Sequence, residues 1–127
     1  MAGIVQVEEN NLLNGWLGIA AYTAVTGAMK LALATATGTS TVAGTEVSGG
    51  SYARQTIVFS TPSAGTTSNN ALISFTNMPA ATTTGIDIYD SAGTPIRRAF
   101  AALTTSKTTA SGDTLSFAST AIAASLS

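Results

Sequence analysis

The chain has 127 residues, a net charge of −1 and 9% charged residues, and it contains neither cysteine nor histidine. A chain of this length is expected to form one domain and to bury about two thirds of the surface that it exposes when unfolded. The missing residue types exclude disulfides, thiolate nucleophiles, histidine-dependent catalytic triads and most zinc sites. The composition therefore argues against an enzyme, and we expect no cofactor.

The few charges also limit the kinds of partner. Five basic residues face six acidic ones, and only Arg97 and Arg98 are adjacent. A nucleic-acid partner is not expected, because phosphate binding requires a basic surface. Ordinary soluble domains carry about 25% charged residues, so this surface must consist largely of hydroxyl and small apolar groups. Such a surface favours a protein packed in an assembly over a free monomer.

The apolar stretch from Gly15 to Ala36 is the one candidate membrane segment. It is interrupted by Lys30, by glycines and by threonines, and many of its apolar residues are alanine, which contributes little to insertion. The first charged residues are Glu8 and Glu9, whereas a secretory signal begins with basic residues. We therefore expect no membrane partner and no targeting segment.

One short helix is predicted near the N-terminus. Glu8, Glu9, Asn10 and Asn11 offer acidic and capping side chains ahead of an apolar pattern typical of one helical face. The residues of that face are Leu12, Leu13, Trp16, Leu17 and Ala20. Trp16 on this face is interpreted as an anchor, either in the core or at an interface with a neighbour.

The rest of the chain has the alternation and spacing of short antiparallel strands. Met29–Ala36 alternates with a period of two, and further strand-like segments follow about every 10 residues, separated by Gly or Pro turns. These segments are Arg54–Ser60, Ala71–Thr76, Gly85–Tyr89, Ile96–Leu103, Thr114–Ala118 and Thr120–Leu126. The predicted fold is mainly β, an antiparallel β-sandwich or jelly-roll-like domain with one short N-terminal helix. Residues 1–127 form a single domain, with an N-terminal arm and helix in 1–27 and a sandwich body in 28–127.

Tyr52 and Arg54 form the first candidate structural or interface pair. Two residues apart at a strand entrance, they share a face. Arg54 can stack on Tyr52 or reach Glu46 across the preceding loop, which would lock that loop. We favour this structural role over direct contact with a partner chain.

Arg97 and Arg98 form the second candidate pair. Consecutive strand residues point to opposite faces, so at most one of them can join a given partner. We favour the interpretation that these arginines lie at a solvated strand edge. In the alternative, one of them contacts a partner and the other bridges subunits. Asp87 and Asp90 are interpreted as turn-capping residues rather than paired catalytic carboxylates or calcium ligands.

Several segments of the chain resemble a known family. They are Gly44–Gln55, with the sequence GTEVSGGSYARQ, followed in order by Ser68–Asn70, Gly85–Gly93, Ala101–Thr108 and Ser111–Phe117. The resemblance is to small bacteriophage virion proteins, often labelled tail-fibre-like or minor structural proteins. It implies a virion component, assembled in the cytoplasm of the bacterial host, and it brings no catalytic residues. It does not distinguish the head from the tail.

Three functional hypotheses follow. The chain shows neither the tandem repeats nor the heptads of a fibre shaft. We therefore favour a capsid decoration (cement) protein that forms a homotrimer on the major capsid protein. The alternative is a tail-associated fibre or fibre-base protein bound to other tail proteins. A host-surface glycan-binding module is the third, and it would need an exposed aromatic platform built from Tyr22, Tyr52 and Tyr89.

Overall fold

The computed structural model describes residues 2–126. The elements, in chain order, are β1 (Ala2–Ile4), α1 (Gln6–Trp16), β2 (Lys30–Ala36), β3 (Thr45–Glu46), β4 (Gln55–Thr56), β5 (Thr66–Ser68), β6 (Ile73–Phe75), β7 (Ala81–Tyr89), β8 (Arg97–Thr109), β9 (Leu115–Phe117) and β10 (Ala123–Ser125).

An antiparallel main sheet organises the molecule. Its strands lie in the order β1, β8, β7, β2, and the short strands β3 and β4 both pair with the outer edge of β2. Leu31 lies opposite Ile88 in the neighbouring strand, and Leu33 lies opposite Ile86. Because strand side chains alternate between faces, these four apolar residues point to the same side of the sheet.

That apolar face is covered by a second layer. Two small antiparallel sheets, β6 with β9 and β5 with β10, lie outside the main sheet. The first of them supplies Ile73, Phe75, Leu115 and Phe117 to the core, and Phe75 meets the ring of Phe117 edge-on at a centroid distance of 6.4 Å. The predicted fold, mainly β and antiparallel with a sandwich-like arrangement and a short N-terminal helix, is confirmed.

The helix lies earlier in the chain than the sequence pattern predicts. It begins directly after buried Val5, whose carbonyl accepts the backbone N–H groups of Glu8 and Glu9, each at 2.9 Å. It ends at Trp16, and Gly18 then takes a positive φ of 71°. Glu8 and Asn11 are thus inside the helix rather than ahead of it, which changes the side of the helix that faces the sheet.

The strand boundaries also differ from the prediction in the hydroxyl-rich segments. β7 begins at Ala81 and β8 continues to Thr109, because the two strands keep pairing beyond the end of β2, with Thr82 opposite Thr108. The strands β1, β3 and β5 were not predicted at all. They have only two or three residues each, and the partners of β1 and β5 are distant in the chain.

Candidate functional site

The side of α1 that faces the body is polar. Glu8, only 6% exposed, pairs its Oε2 with Nη1 of Arg98 in β8. The same guanidinium donates from Nη2 to Oδ2 of buried Asp90 at 2.8 Å. Arg98 therefore links the helix to the turn between β7 and β8 through one buried cluster.

The segment that follows the helix folds back along this polar side. Tyr22 donates its hydroxyl to Oε1 of Glu8 at 2.7 Å, and the hydrogen bond raises the pKa of Tyr22. The Asn11 amide bonds both the backbone N–H and the carbonyl of Thr23, each at 2.8 Å. Gly15 makes the close approach possible, since a Cβ there would lie 2.7 Å from Cβ of Tyr22.

We call this segment, Leu17–Ala28, the strap. All its residues are exposed, and it contains only Leu, Ile, Val, Ala, Tyr, Gly and Thr. Its far end is held by Ser91, which donates its backbone N–H to the Thr26 carbonyl at 2.8 Å and its hydroxyl to the Ala28 carbonyl. The backbone of the strap is thus fixed at both ends while its apolar side chains face outward.

The opposite side of α1 lines a surface groove. Its apolar lining consists of Ile4, Leu12, Leu13, Trp16 and Leu126, and its polar lining of Gln6, Glu9 and Asn10. The Trp16 side chain is 81% exposed. The prediction that Trp16 anchors the core is therefore wrong, because the buried Glu8 cluster turns Trp16 away from the sheet. Its role at an interface stays a prediction.

Arg97 binds a different carboxylate from Arg98. Its Nη1 lies 3.0 Å from Oδ1 of Asp87, and its guanidinium stands over the ring of Phe100 at 5.6 Å. Asp87 also accepts the backbone N–H of Gly44 at 3.0 Å. The expected solvated edge is wrong for both arginines, because β8 is an inner strand between β1 and β7.

The two aspartates have separate roles. Oδ1 of Asp90 accepts the backbone N–H groups of Ala92 at 3.2 Å and Ile96 at 2.9 Å, so the predicted turn cap is confirmed there. Burial acts to raise the pKa of Asp90, but the hydrogen bonds from Ile96 and Arg98 outweigh it and lower the pKa. For Asp87 the turn cap is wrong, since this residue lies within β7 and pairs with Arg97.

Tyr52 and Arg54 converge on Glu46, as one of the two alternatives predicted. Arg54 donates from Nε to Oε2 of Glu46 at 2.8 Å. The Tyr52 hydroxyl donates to the same oxygen at 2.9 Å. Arg54 stacks on Tyr89 at 3.8 Å and not on Tyr52, whose ring instead stacks on Phe75. Burial opposes ionisation of Glu46, but these two hydrogen bonds outweigh it and lower its pKa.

These contacts bear on the glycan-binding hypothesis. Tyr22 is engaged by Glu8, while Tyr52 and Tyr89 are half-buried against Phe75 and under Arg54. Only the Tyr22 ring is exposed, so the three rings do not form the exposed platform that the hypothesis needs. The exposed apolar side chains of the N-terminal region, among them Trp16 and Ile19, lie elsewhere.

Sequence reasoning missed two parts of this surface. Glu8 was interpreted as a helix-end residue, whereas it is the buried partner of Arg98. Leu126 was assigned to a closing strand, whereas it lines the groove beside the helix. Neither has a local signal, because each contact joins residues far apart in the chain, 90 positions for Glu8 and Arg98.

No helix within residues 2–126 combines the length and the hydropathy that crossing a bilayer requires. A protein-family model described as Podophage GP4 fiber I protein gp80 matches residues 3–125 of the chain. No curated protein is significantly similar to it.

Proposed function

The chain belongs to the family of the podophage GP4 fiber I protein gp80, and from this premise we propose that it is a tail-associated fibre or fibre-base protein. The family places it among phage fibre structural proteins and hence in the virion. The match over residues 3–125 is the observation that carries the proposal. It supports the fibre alternative better than the capsid decoration protein that the sequence favoured.

The geometry supports an architectural role rather than a catalytic one. Glu8, Glu46, Asp87 and Asp90 are each bound by an arginine within the molecule. A carboxylate held in this way is a poor general base, because its arginine partner stabilises the ionised form. The abundant Ser and Thr hydroxyls would need such a base to become nucleophiles.

The N-terminal region supports a role in assembly. Trp16, Leu13 and the strap expose apolar side chains on elements whose backbone is fixed by buried polar contacts. Exposed apolar surface on rigid elements is typical of protein–protein contact sites. We propose that the partners are further copies of this chain, with a homotrimer as the expected form, and other tail proteins.

The test of location is to separate heads from tails of the parent particle and to quantify this chain in each fraction by mass spectrometry. The major shell protein provides the scale for heads, and a tail-tube protein provides the scale for tails. We expect a small number of copies per particle, recovered with the tails. Hundreds of copies recovered with the heads would overturn the proposal and restore the decoration hypothesis.

A matched pair of variants extends this test to incorporation of the protein into the particle. Trp16→Glu places a charge in the groove, and Leu72→Glu places one on a comparably exposed apolar residue outside it. Phage carrying Trp16→Glu should lose the protein from tails, whereas phage carrying Leu72→Glu should retain it. Equal retention of both variants would show that the groove takes no part in incorporation.

A further inference from the structure

Two uncovered apolar surfaces lie on the same N-terminal unit, the strap and the groove. We propose that the strap of one copy packs into the groove of the next copy, so that the chain assembles head to tail. This inference deepens the proposed role in a fibre assembly and rests on it. It identifies which two surfaces of the chain meet.

The two surfaces match in chemistry. No charged residue occurs between Glu9 and Lys30, so the strap is uncharged along its whole length. The groove is lined by Ile4, Leu12, Leu13, Trp16 and Leu126, and among residues 2–126 Glu9 is the one charged residue of its lining. Packing the strap there removes apolar surface from water without placing a strap charge in the interface. A strongly charged partner would lose solvation on this surface and gain no opposite charge.

A strap cannot fill the groove of its own chain. At 100° per residue, Glu8, Asn11 and Gly15 lie on one side of α1, where the strap is held by Tyr22 and Thr23. The groove residues Glu9, Leu13 and Trp16 lie on the other side of the helix. The strap and the groove of one molecule therefore face away from each other, and each remains available to a different neighbour.

This arrangement determines the type of symmetry. Because the strap and the groove lie on opposite sides of α1, one neighbour cannot occupy both, so the contact is heterologous and produces a closed ring or an open filament rather than a two-fold dimer. Stable interfaces bury about 800 Å² per partner, drawn from about 20–30 residues. One 12-residue strap supplies less than that. In a closed ring every copy makes two such contacts, and the second forms at high effective concentration. We therefore expect a ring, of which a trimer is the smallest form.

Two variants separate the surfaces without disturbing the core. Trp16→Glu disables the groove and Ile19→Glu disables the strap, and both side chains are largely exposed in the monomer. Leu72→Glu is the matched control, a similarly exposed residue outside both surfaces. Circular dichroism checks that all three variants fold, and native mass spectrometry with analytical ultracentrifugation measures their oligomeric state.

The expected pattern is specific to head-to-tail assembly. The wild type and Leu72→Glu form the same oligomer. Trp16→Glu and Ile19→Glu, each measured alone, dissociate at concentrations at least tenfold higher than the concentration at which the wild type dissociates. An equimolar mixture of Trp16→Glu and Ile19→Glu gives dimers and nothing larger, because one intact strap and one intact groove remain between them. A wild type that is monomeric, variants that remain assembled, or a mixture that assembles beyond a dimer would each overturn the proposal.

Cross-linking supplies a second measurement if the dimer in the mixture is weak. The chain contains no cysteine, so Leu13→Cys in one preparation and Ile19→Cys in another introduce single, unambiguous thiols. A short bismaleimide should join them when the preparations are mixed, at least tenfold faster than it joins Leu13→Cys to a Leu72→Cys control. Equal rates for the two pairs would contradict the interface.

The outcome is separable from that of the proposed function. The oligomeric state is measured on the purified full chain, whereas location is measured on fractionated particles. A monomer recovered with tails would overturn the contact between strap and groove and leave the fibre assignment intact. A head-to-tail oligomer recovered with heads would do the reverse.

Discussion

The sandwich body and the N-terminal unit, which comprises β1, α1 and the strap, bury opposite kinds of side chain. In the body, Leu33 and Phe75 are inside, as in most globular cores. In the N-terminal unit, the buried residue of the helix is Glu8, and Trp16 faces water. The body thus buries its apolar side chains within the molecule, whereas the N-terminal unit exposes apolar side chains such as Trp16 to solvent.

Buried ion pairs can hold the N-terminal unit in one orientation without using its exposed apolar side chains. An ion pair taken out of water adds little net stability, because desolvation offsets much of the attraction, but its hydrogen bonds impose one geometry. Arg98 fixes the orientation of α1 through Glu8, and Tyr22 and Asn11 then fix the strap. The exposed apolar residues of the unit, such as Trp16 and Ile19, take no part in these contacts.

The largest expected effect comes from breaking the Arg98 cluster. Arg98→Met leaves Glu8 and Asp90 in the interior without their cation. Removing one partner of a buried pair costs about 3–5 kcal/mol, because the remaining charge is uncompensated. We expect a loss of this size in the free energy of unfolding, measured by urea denaturation with circular dichroism.

Arg54→Met is the matched control for that experiment. Arg54 also pairs with a carboxylate, Glu46, but their side chains are 30% and 32% exposed. Pairs in contact with water contribute about 0–1 kcal/mol, and the substitution should cost no more than that. Equal losses of unfolding free energy for the two variants would contradict the distinction between the buried Arg98 cluster and the partly exposed Arg54–Glu46 pair.

A smaller difference separates two tyrosine hydroxyls. In Tyr52→Phe the backbone N–H of Leu33 loses its acceptor at 3.0 Å, and Glu46 loses a donor. Leaving buried groups unsatisfied costs about 1–3 kcal/mol. In Tyr22→Phe only the Glu8 carboxylate loses a donor, and because Tyr22 is itself exposed, water can replace the lost hydroxyl, so about 1 kcal/mol or less is expected. Denaturation of both variants gives the comparison, and a larger loss for Tyr22→Phe would contradict it.

The body was largely predictable from the sequence, because its apolar residues alternate with the period of a strand. The positions of Leu31, Ile73, Ile86 and Leu115 on core-facing strands follow from that alternation alone. The short strands β1 and β3 were missed because two or three residues carry no periodic signal. They exist only because a neighbouring strand offers free backbone groups to pair with.

The N-terminal unit could not be predicted in the same way. The apolar spacing of Leu12, Leu13 and Trp16 marks one side of a helix, but spacing does not indicate whether that side meets the core or another molecule. What decides the matter is the pair Glu8–Arg98, whose members are 90 positions apart in the chain. A contact of that separation leaves no trace in a local pattern.

The pH dependence of stability should separate the polar clusters from the apolar core, which does not titrate. The lowered pKa values of Glu46 and Asp90 stabilise the fold above their ordinary values of 4.5 and 3.8, and this contribution is lost as the pH falls further. The raised pKa values of Tyr22 and Tyr52 stabilise it below 10.0, and this contribution is lost as the pH rises. Without histidine, melting temperature should be nearly constant from about pH 5 to 9.

Thermal denaturation across pH measures this profile. One variant tests whether Glu46 contributes to the loss of stability at acid pH. In Glu46→Gln the Glu46 carboxylate no longer titrates, so the variant should lose less stability between pH 5 and pH 3 than the wild type. An unchanged acid limb would mean that Glu46 is not held in its ionised form by Arg54 and Tyr52. A marked transition near pH 6.5 would contradict this profile, because the chain has no histidine.

The smallest expected effect on stability comes from the one tryptophan of the chain. Trp16→Ser removes a side chain that is 81% exposed, and surface substitutions stay within about 0.5 kcal/mol. Leu33→Ala, a truncation in the core, should cost about 2–5 kcal/mol under the same conditions. Urea denaturation at protein concentrations too low for assembly measures both, and a loss above 2 kcal/mol for Trp16→Ser would mean that its ring is packed within the monomer.

Trp16 also reports on the interface directly, because its fluorescence should shift to shorter wavelength as rising concentration brings a strap over it, and in Ile19→Glu that shift should be absent.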